Sequence, residues 1–421
     1  MSGYEKLLGA SVKLVEACNA DPELAVLLPS KPVTIGITGD PPHTRGIAIR
    51  LSSDGAQIAP IGVADFSMSA PDESWDECLS AQPRPNYHHF LAMLMRIRGA
   101  EILGSQVSFA QHAHLARRLV ELSREAVTGL EQPEPGSAIP RAGIRGSYVE
   151  IPFDGSTVNV FVEAAGDSRL PTILVLHTAG ADTRQAHALM TDSELLNTHR
   201  IVTFDLPGHG KSDTLKEPIG RWTLTHDRYI DAIVGVIDAL GLNHPILLGA
   251  SMAGEACLAA ALNCPGQLGG VIACEAAEFV PGRATSWPRD TRVNATLFTP
   301  EWIDGLIGPA APSRRRAEIK WQYSQSGYGV FSGDIDFYSG GWDARGRLGG
   351  IDTRVCPVVM MTGEYDYSCT PEMSAATSAQ ILGSVFWEMP GLGHFPLAEN
   401  PTRFAPHLRR ALSEIERQHR V

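Results

Sequence analysis

The chain has 421 residues, of which 43% are hydrophobic and 19% charged, so it can bury a large core over two or three domains. Its net charge of −12 argues against a nucleic-acid surface, and we expect no nucleic-acid partner. The seven cysteines are scattered without CxxC spacing, which predicts free thiols and no zinc site.

The N-terminus carries charged residues early and has neither the apolar core nor the cleavage site of a signal peptide. No apolar run approaches the length that crosses a bilayer. We therefore expect a cytoplasmic protein with no integral membrane segment.

Residues 1–126 have the pattern of an α+β domain. Three strand-like segments, at 33–38, 46–51 and 63–68, are separated by turn residues and predict an antiparallel meander. Apolar residues at helical spacing predict helices at 4–18, 72–79, 87–97 and 107–126.

This first domain resembles the sterol carrier protein 2-like family in its succession of elements. The resemblance rests on residues 64–68, on Trp75 in a helix, on the apolar helix 90–97 and on residues 99–105 leading into the closing helix. It implies an apolar cavity and lipid binding. The alternative is a module with a filled core that packs or forms a homodimer.

A second domain is predicted at 147–421, after a proline- and glycine-rich linker at 127–146. Continuous apolar runs of strand length alternate there with helical patterns, which indicates a doubly wound, mostly parallel sheet. These runs are at 172–176, 201–204, 246–248, 270–274, 356–362 and 385–389.

Ser251 stands at the apex of a sharp turn between a strand and a helix. The strand ends in Gly249 and Ala250, and small residues follow the serine in the helix. Such a turn needs small side chains on both sides of its apex, and it lifts the hydroxyl above the sheet beside the helix N-terminus. The sequence departs from the usual G-x-S-x-G pattern at the last position, where Ala253 replaces the glycine.

Two further polar residues follow later strands of the predicted sheet. Asp366 follows the run 356–362, and His394 lies in a glycine-rich loop after 385–389. Parallel sheets place their sites at these carboxyl ends, so a base and an orienting acid are available to Ser251. Glu364 and Glu275 are alternative candidates for the acid.

The order Ser251, Asp366, His394 makes residues 147–421 resemble the α/β-hydrolase family. The resemblance implies that Ser251 is the nucleophile, His394 the general base and acid, and Asp366 the orienting carboxylate. It also implies an oxyanion hole made by the amide of Met252 and one from the turn after the strand 172–176. Ala179 is expected to be that donor, with Thr178 left open, and His177 is expected to brace this turn and border the substrate.

The alternation of strand and helix lapses between residues 276 and 343, where aromatic residues are concentrated. This segment is predicted to be a cap over the carboxyl ends of the strands, and its rings suggest an apolar or aromatic substrate group. Trp302, Trp321 and Tyr323 are the candidates for contact with the substrate. Alternatively, the rings form the core of the cap itself.

The sequence predicts a serine hydrolase that cleaves an ester-type bond of a small, largely apolar molecule through an acyl-enzyme. Alternatively, the same residues catalyse the cleavage of a lactone, thioester, amide or carbon–carbon bond, or an acyl transfer. A lipid-binding or sensing protein is the alternative of another class. No dinucleotide fingerprint is present, and no cofactor or metal is expected.

Overall fold

The computed structural model describes residues 2–129, 135–214 and 216–420. The chain forms two compact units. The first unit comprises Met1–Pro133 together with Asp290–Gly305, and the second comprises Glu134–Arg289 and Leu306–Val421.

The first unit contains a five-stranded sheet and helices. Its strands are β1 (Val33–Thr38), β2 (Gly46–Ser52), β3 (Gly55–Ala59), β4 (Phe66–Ser69) and β5 (Glu101–Gly104), in the order β3-β2-β1-β4-β5. The helices before residue 130 are α1 (Gly3–Gly9), α2 (Ser11–Ala20), α3 (Pro22–Leu27), α4 (Asp72–Cys78), α5 (Phe90–Arg96), α6 (Gln106–Gln111) and α7 (Ala113–Thr128).

The predicted meander of three antiparallel strands is wrong. β1 and β2 are antiparallel, but β4, which was to be the third strand, pairs with β1 in parallel. The chain turns back at Ser52–Gly55, so β3 pairs directly with β2 and becomes its second antiparallel partner. Gly55 adopts a φ of 107°, which a glycine tolerates in so tight a turn.

The second unit is built around an eight-stranded sheet. Its order is β13-β12-β11-β10-β8-β9-β7-β6. Strands from β8 to β13 pair in parallel, whereas β7 is antiparallel to β9 and to β6. The strands are β6 (Arg145–Phe153), β7 (Ser156–Ala165), β8 (Thr172–Leu176), β9 (Arg200–Phe204), β10 (Ile246–Ala250), β11 (Gly270–Cys274), β12 (Val358–Gly363) and β13 (Val385–Met389).

Helices connect these strands, and the doubly wound architecture expected from the sequence is confirmed. Every residue of β8, β10, β11 and β12 is buried, which explains their continuous apolar sequences. The helices after residue 190 are α8 (Ser193–Leu196), α9 (His226–Leu240), α10 (Met252–Asn263), α11 (Ala295–Asp304), α12 (Ser313–Ser324), α13 (Val330–Asp336), α14 (Pro371–Ser378), α15 (Pro396–Glu399) and α16 (Pro401–His419).

Helix α11 belongs to the first unit, although its sequence lies between parts of the second. Buried Arg117 on α7 donates to Glu301 on α11 at 2.5 Å and also pairs with Glu121. Glu301 is itself buried, so the ion pair fixes the position of α11 in this unit.

Among the helices in the described parts of the chain, none combines the length and the apolar character needed to cross a bilayer.

Candidate active site

Ser251 occupies a strained turn between β10 and α10. Its φ of 60° is unusual for a residue with a side chain, and its amide donates to the carbonyl of Cys274 at 3.0 Å. A Cβ on Gly249 would come within 2.5 Å of the Ala253 carbonyl oxygen, and a Cβ on Gly254 would come within 2.2 Å of the Cys274 oxygen. The small residues of this turn are therefore required by close backbone packing.

His394 and Asp366 form a buried hydrogen-bonded pair. Nδ1 of His394 donates to Oδ2 of Asp366 at 2.7 Å. The other carboxylate oxygen of Asp366 accepts from the amides of Ser368 and Cys369 at 2.7 and 3.3 Å. An imidazole whose Nδ1–H faces a carboxylate presents Nε2 as its basic atom.

The other two candidates for the acid have different partners. Glu364 accepts from the amide of Gly391 at 2.8 Å and so supports the loop that carries His394. Glu275 accepts from the amide of Gly363 at 3.1 Å. Burial and the charge of Asp366 raise the pKa of Glu275 well above its usual range, so Glu275 is neutral.

Within the part of the chain that the structure describes, Glu275, Asp366 and His394 form a group that could hold a metal ion, since they offer ligand atoms within 4.8 Å of one another. The Nδ1 atom and the facing carboxylate oxygen already satisfy each other. This arrangement is the one that a general base and its orienting acid require.

Glu399 holds the backbone on both sides of His394. It accepts from the amides of Gly393 at 2.5 Å and of Phe395 and Gly308 at 3.3 Å. Burial raises the pKa of Glu399 to about 7 despite these hydrogen bonds. The sequence reasoning missed this residue. Its signal was an acidic side chain shortly after the glycine-rich loop, in an otherwise apolar stretch.

The turn after β8 has most of its amides already bound. Thr178 donates its amide to Gln185 at 2.9 Å, and Gly180 donates to Asp334 at 2.7 Å. Within residues 2–129, 135–214 and 216–420, the amides of Ala179 and Met252 have no hydrogen-bond acceptor. This leaves Thr178 out of the candidate oxyanion donors, because its amide proton is in use.

The residues predicted to contact the substrate lie in different surroundings. His177 is buried, and both of its ring nitrogens bind backbone, at Thr178 and Leu206, so it braces the turn. Tyr323 is 2% exposed, whereas Trp321 is 53% exposed and packs against the Arg184 guanidinium.

Trp321 and Tyr323 lie two residues apart on α12 and so face opposite sides of the helix, which corrects the expectation that both line the site. Trp302 lies on α11 of the first unit, where it packs against Phe298. The aromatic segment 276–343 is therefore divided between the first unit and the second unit.

A small, mostly apolar cavity borders the turn after β8 and the residue before Ser251. It is lined by Leu176, Thr178, Gln185, Ala250, Phe395, Leu397 and Ala398.

Comparisons with known proteins agree with this architecture. A hydrolase of 2-hydroxy-6-oxononadienedioate and 2-hydroxy-6-oxononatrienedioate from Burkholderia vietnamiensis is 28% identical over 126 residues, which are 30% of this chain and 42% of that protein. This chain thus matches less than half the length of that relative.

Solved structures show the same fold. An esterase from Thermogutta terrifontis superposes with a TM-score of 0.54 at 21% identity, over 64% of this chain and 99% of the esterase. An enol-lactonase from Burkholderia xenovorans LB400 superposes with a TM-score of 0.54 at 19% identity, over 63% of this chain and all of the lactonase.

The model of the alpha/beta hydrolase family matches residues 173–407, which contain the turn after β8, the Ser251 turn, Asp366 and His394. Because this match covers more than half of the chain and the sheet has the corresponding order of strands, the protein belongs to the alpha/beta hydrolase family.

Proposed function

We propose that the protein is a serine hydrolase that cleaves an ester-type bond of a small, largely apolar molecule through an acyl-enzyme. The observation that carries this proposal is the hydrogen-bonded pair of Asp366 and His394, in the loops that follow the neighbouring strands β12 and β13 of the sheet that presents Ser251. A binding protein has no use for a strained serine, a base and an orienting acid together.

In the proposed reaction, Nε2 of His394 takes the proton of Ser251 while Oγ attacks the substrate carbonyl carbon. The oxyanion that forms accepts hydrogen bonds from the amides of Met252 and Ala179. His394 then protonates the leaving alcohol, and the carbon–oxygen bond breaks. Water attacks the acyl-enzyme by the same route and releases the carboxylic acid.

The apolar side chains beside the Ser251 turn support an apolar acyl or alcohol group in the substrate. Five of the side chains that line the small cavity there are hydrocarbon, and its polar side chains are Thr178 and Gln185, which already bind each other. A substrate group that requires hydrogen bonds would gain little there.

The experiment is a panel of ester, lactone, thioester and amide substrates assayed with the wild type and Ser251→Ala. We expect esters to be the best substrates, and the variant to lose turnover by a factor on the order of 10⁶ because base and nucleophile act as a unit. Ser313→Ala, a partly exposed serine at the start of α12, is the matched control. Full esterase activity in Ser251→Ala would refute the proposal.

Carbon–carbon bond hydrolysis is the second candidate, because the matching Burkholderia vietnamiensis protein is named as a hydrolase of oxo-dienedioates. A vinylogous 1,5-diketone in the same panel separates the two reactions. A lipid-binding or sensing protein would show no turnover and no labelling of Ser251 by a fluorophosphonate.

For the first unit we propose a sterol carrier protein 2-like role in binding apolar ligands. Its five-stranded sheet with an apolar face and its buried Trp75 support this proposal. Displacement of a fluorescent fatty acid from the full chain tests it. If no fatty acid binds, sedimentation of the full chain tests the alternative, a homodimer formed through this unit.

A further inference from the structure

The residues on both sides of Ala179 are held by helices of the segment expected to form the cap. On one side, the Thr178 hydroxyl lies 2.5 Å from the hydroxyl of Tyr323 on α12. On the other, the Gly180 amide donates to Asp334 on α13 at 2.7 Å. The peptide that carries the unoccupied Ala179 N–H therefore has both of its neighbours anchored to these two helices.

Asp334 is a buried carboxylate that accepts three hydrogen bonds. Besides Gly180, Nε2 of His209 lies 2.8 Å from Oδ2, and Nε1 of Trp222 donates to Oδ1 at 2.6 Å. The side chain of Asp334 is completely inaccessible to solvent, and that of His209 is 1% exposed. Hydrogen bonds to a charged group are strong in such dry surroundings, so this cluster holds its geometry firmly.

Gly180 itself packs closely against helix α13. This glycine has a φ of 66°, and a Cβ there would come within 2.9 Å of the Cβ of Phe331, which lies on α13 as Asp334 does. The glycine thus allows both the conformation of the turn and the contact with the helix.

The charges in the cluster are compatible with this geometry. Although burial opposes the imidazolium form, the charge and hydrogen bond of Asp334 outweigh it and raise the pKa of His209. The centroid of the His177 ring lies 4.9 Å from that of the His209 ring. Burial together with the charge of His209 lowers the pKa of His177 to about 4. His177 is therefore neutral, as its acceptance of the Leu206 N–H requires.

We propose that Asp334 and Tyr323 are positioning residues that direct the Ala179 N–H toward the oxyanion. This inference rests on the proposed serine hydrolase function and extends it, since it makes α12 and α13 part of the apparatus that stabilises the transition state. Neither residue needs to touch the substrate for this role.

The test uses Asp334→Asn and Tyr323→Phe in the full chain. Asparagine has one acceptor oxygen for three donors, and phenylalanine lacks only the hydroxyl that binds Thr178. Tyr328→Phe is the matched control, because its hydroxyl binds the carbonyl of Arg289 and the residue is 43% exposed. Each variant is measured for kcat and KM on the best ester and for inhibition by an alkyl trifluoromethyl ketone.

The ketone reports on the oxyanion directly. Oγ of Ser251 adds to its carbonyl carbon, the serine proton passes to His394, and the carbonyl oxygen becomes an oxyanion. Loss of one whole oxyanion donor costs about 10²–10³ in kcat, so we expect a smaller loss, about tenfold to a hundredfold, from misdirecting one. Affinity for the ketone should fall by the same factor as kcat/KM, with KM nearly unchanged.

A purely structural role would lower the melting temperature and the yield of active enzyme without changing ketone affinity per active site. Wild-type ketone affinity in both variants would overturn the inference. If Asp334→Asn does not fold, Tyr323→Phe decides alone. Failure of the wild type itself to be labelled by a fluorophosphonate would instead refute the proposed function, so the two failures are distinguishable.

Discussion

Asp366 and His394 lie 28 residues apart in sequence, and their facing atoms, Oδ2 and Nδ1, are 2.7 Å apart. Both side chains are almost completely buried. The carboxyl group of Glu275 lies close by, and burial together with the charge of Asp366 raises the pKa of Glu275 well above its usual range.

Asp366→Asn should lower kcat by about 10³–10⁴ while leaving the fold intact, because an amide facing Nδ1 favours the wrong imidazole tautomer. Glu275→Gln keeps the shape and the neutral character of its side chain, so we expect a much smaller loss, about tenfold at most. Measurements of kcat and KM from pH 5 to 9 check both variants. A larger loss in Glu275→Gln than in Asp366→Asn would mean that Glu275 is the orienting acid.

Gly254→Ala should destabilise the second unit by about 1–3 kcal/mol, because the added Cβ would lie 2.2 Å from the carbonyl oxygen of Cys274, which is backbone and buried. Gly266→Ala is the control, since a Cβ there meets no atom within 4 Å. Denaturant unfolding of both variants measures the difference. A Gly254→Ala variant as stable as the wild type would show that the turn at Ser251 has room for a methyl group.

Acid should weaken the second unit between pH 6.5 and 4 through His177. Its folded pKa of about 4 lies below the unfolded value, so in this window the unfolded chain binds a proton that the folded chain does not, and stability falls as the pH falls. The full cost is on the order of 3 kcal/mol. His209, whose pKa is raised, contributes in the opposite sense, and its contribution is lost as the pH rises through its folded pKa.

The measurement is the melting temperature from pH 4 to 8 for the wild type and His177→Gln, with His244→Asn on an exposed turn as the control. We expect a shallower dependence below pH 6.5 in His177→Gln alone. An unchanged dependence in that variant would assign the acid sensitivity to other groups, such as His89 and His114 of the first unit, whose pKa values are each lowered to about 4 by burial.

The sequence was sufficient to predict the parallel sheet, because continuous apolar runs and small-residue turns are local patterns. The turn at Ser251 and the loop at His394 could be placed for the same reason. The roles of these residues and of Met252 and Ala179 stay predictions. Glu399 was missed because its acceptor role depends on how the loop before it folds back.

Longer-range relationships could not be predicted. Gly180 and Asp334 are 154 residues apart, and neighbouring Asp336 has the same side chain, so the sequence does not show which aspartate turns inward. Which of Trp321 and Tyr323 is buried likewise depends on which side of α12 meets the turn after β8. The parallel pairing of β4 with β1 also escaped prediction, because the short strand β3 that pairs with β2 was not among the predicted strands.

The interrupted first unit has a consequence for synthesis of the chain. Its last helix, α11, ends at Asp304, so more than half of the second unit's sheet strands leave the ribosome before the first unit has all of its parts. Until then Arg117 lacks Glu301, one of the carboxylates that neutralise it in the finished protein. The first unit therefore cannot complete its fold until the chain has been synthesised past Asp304.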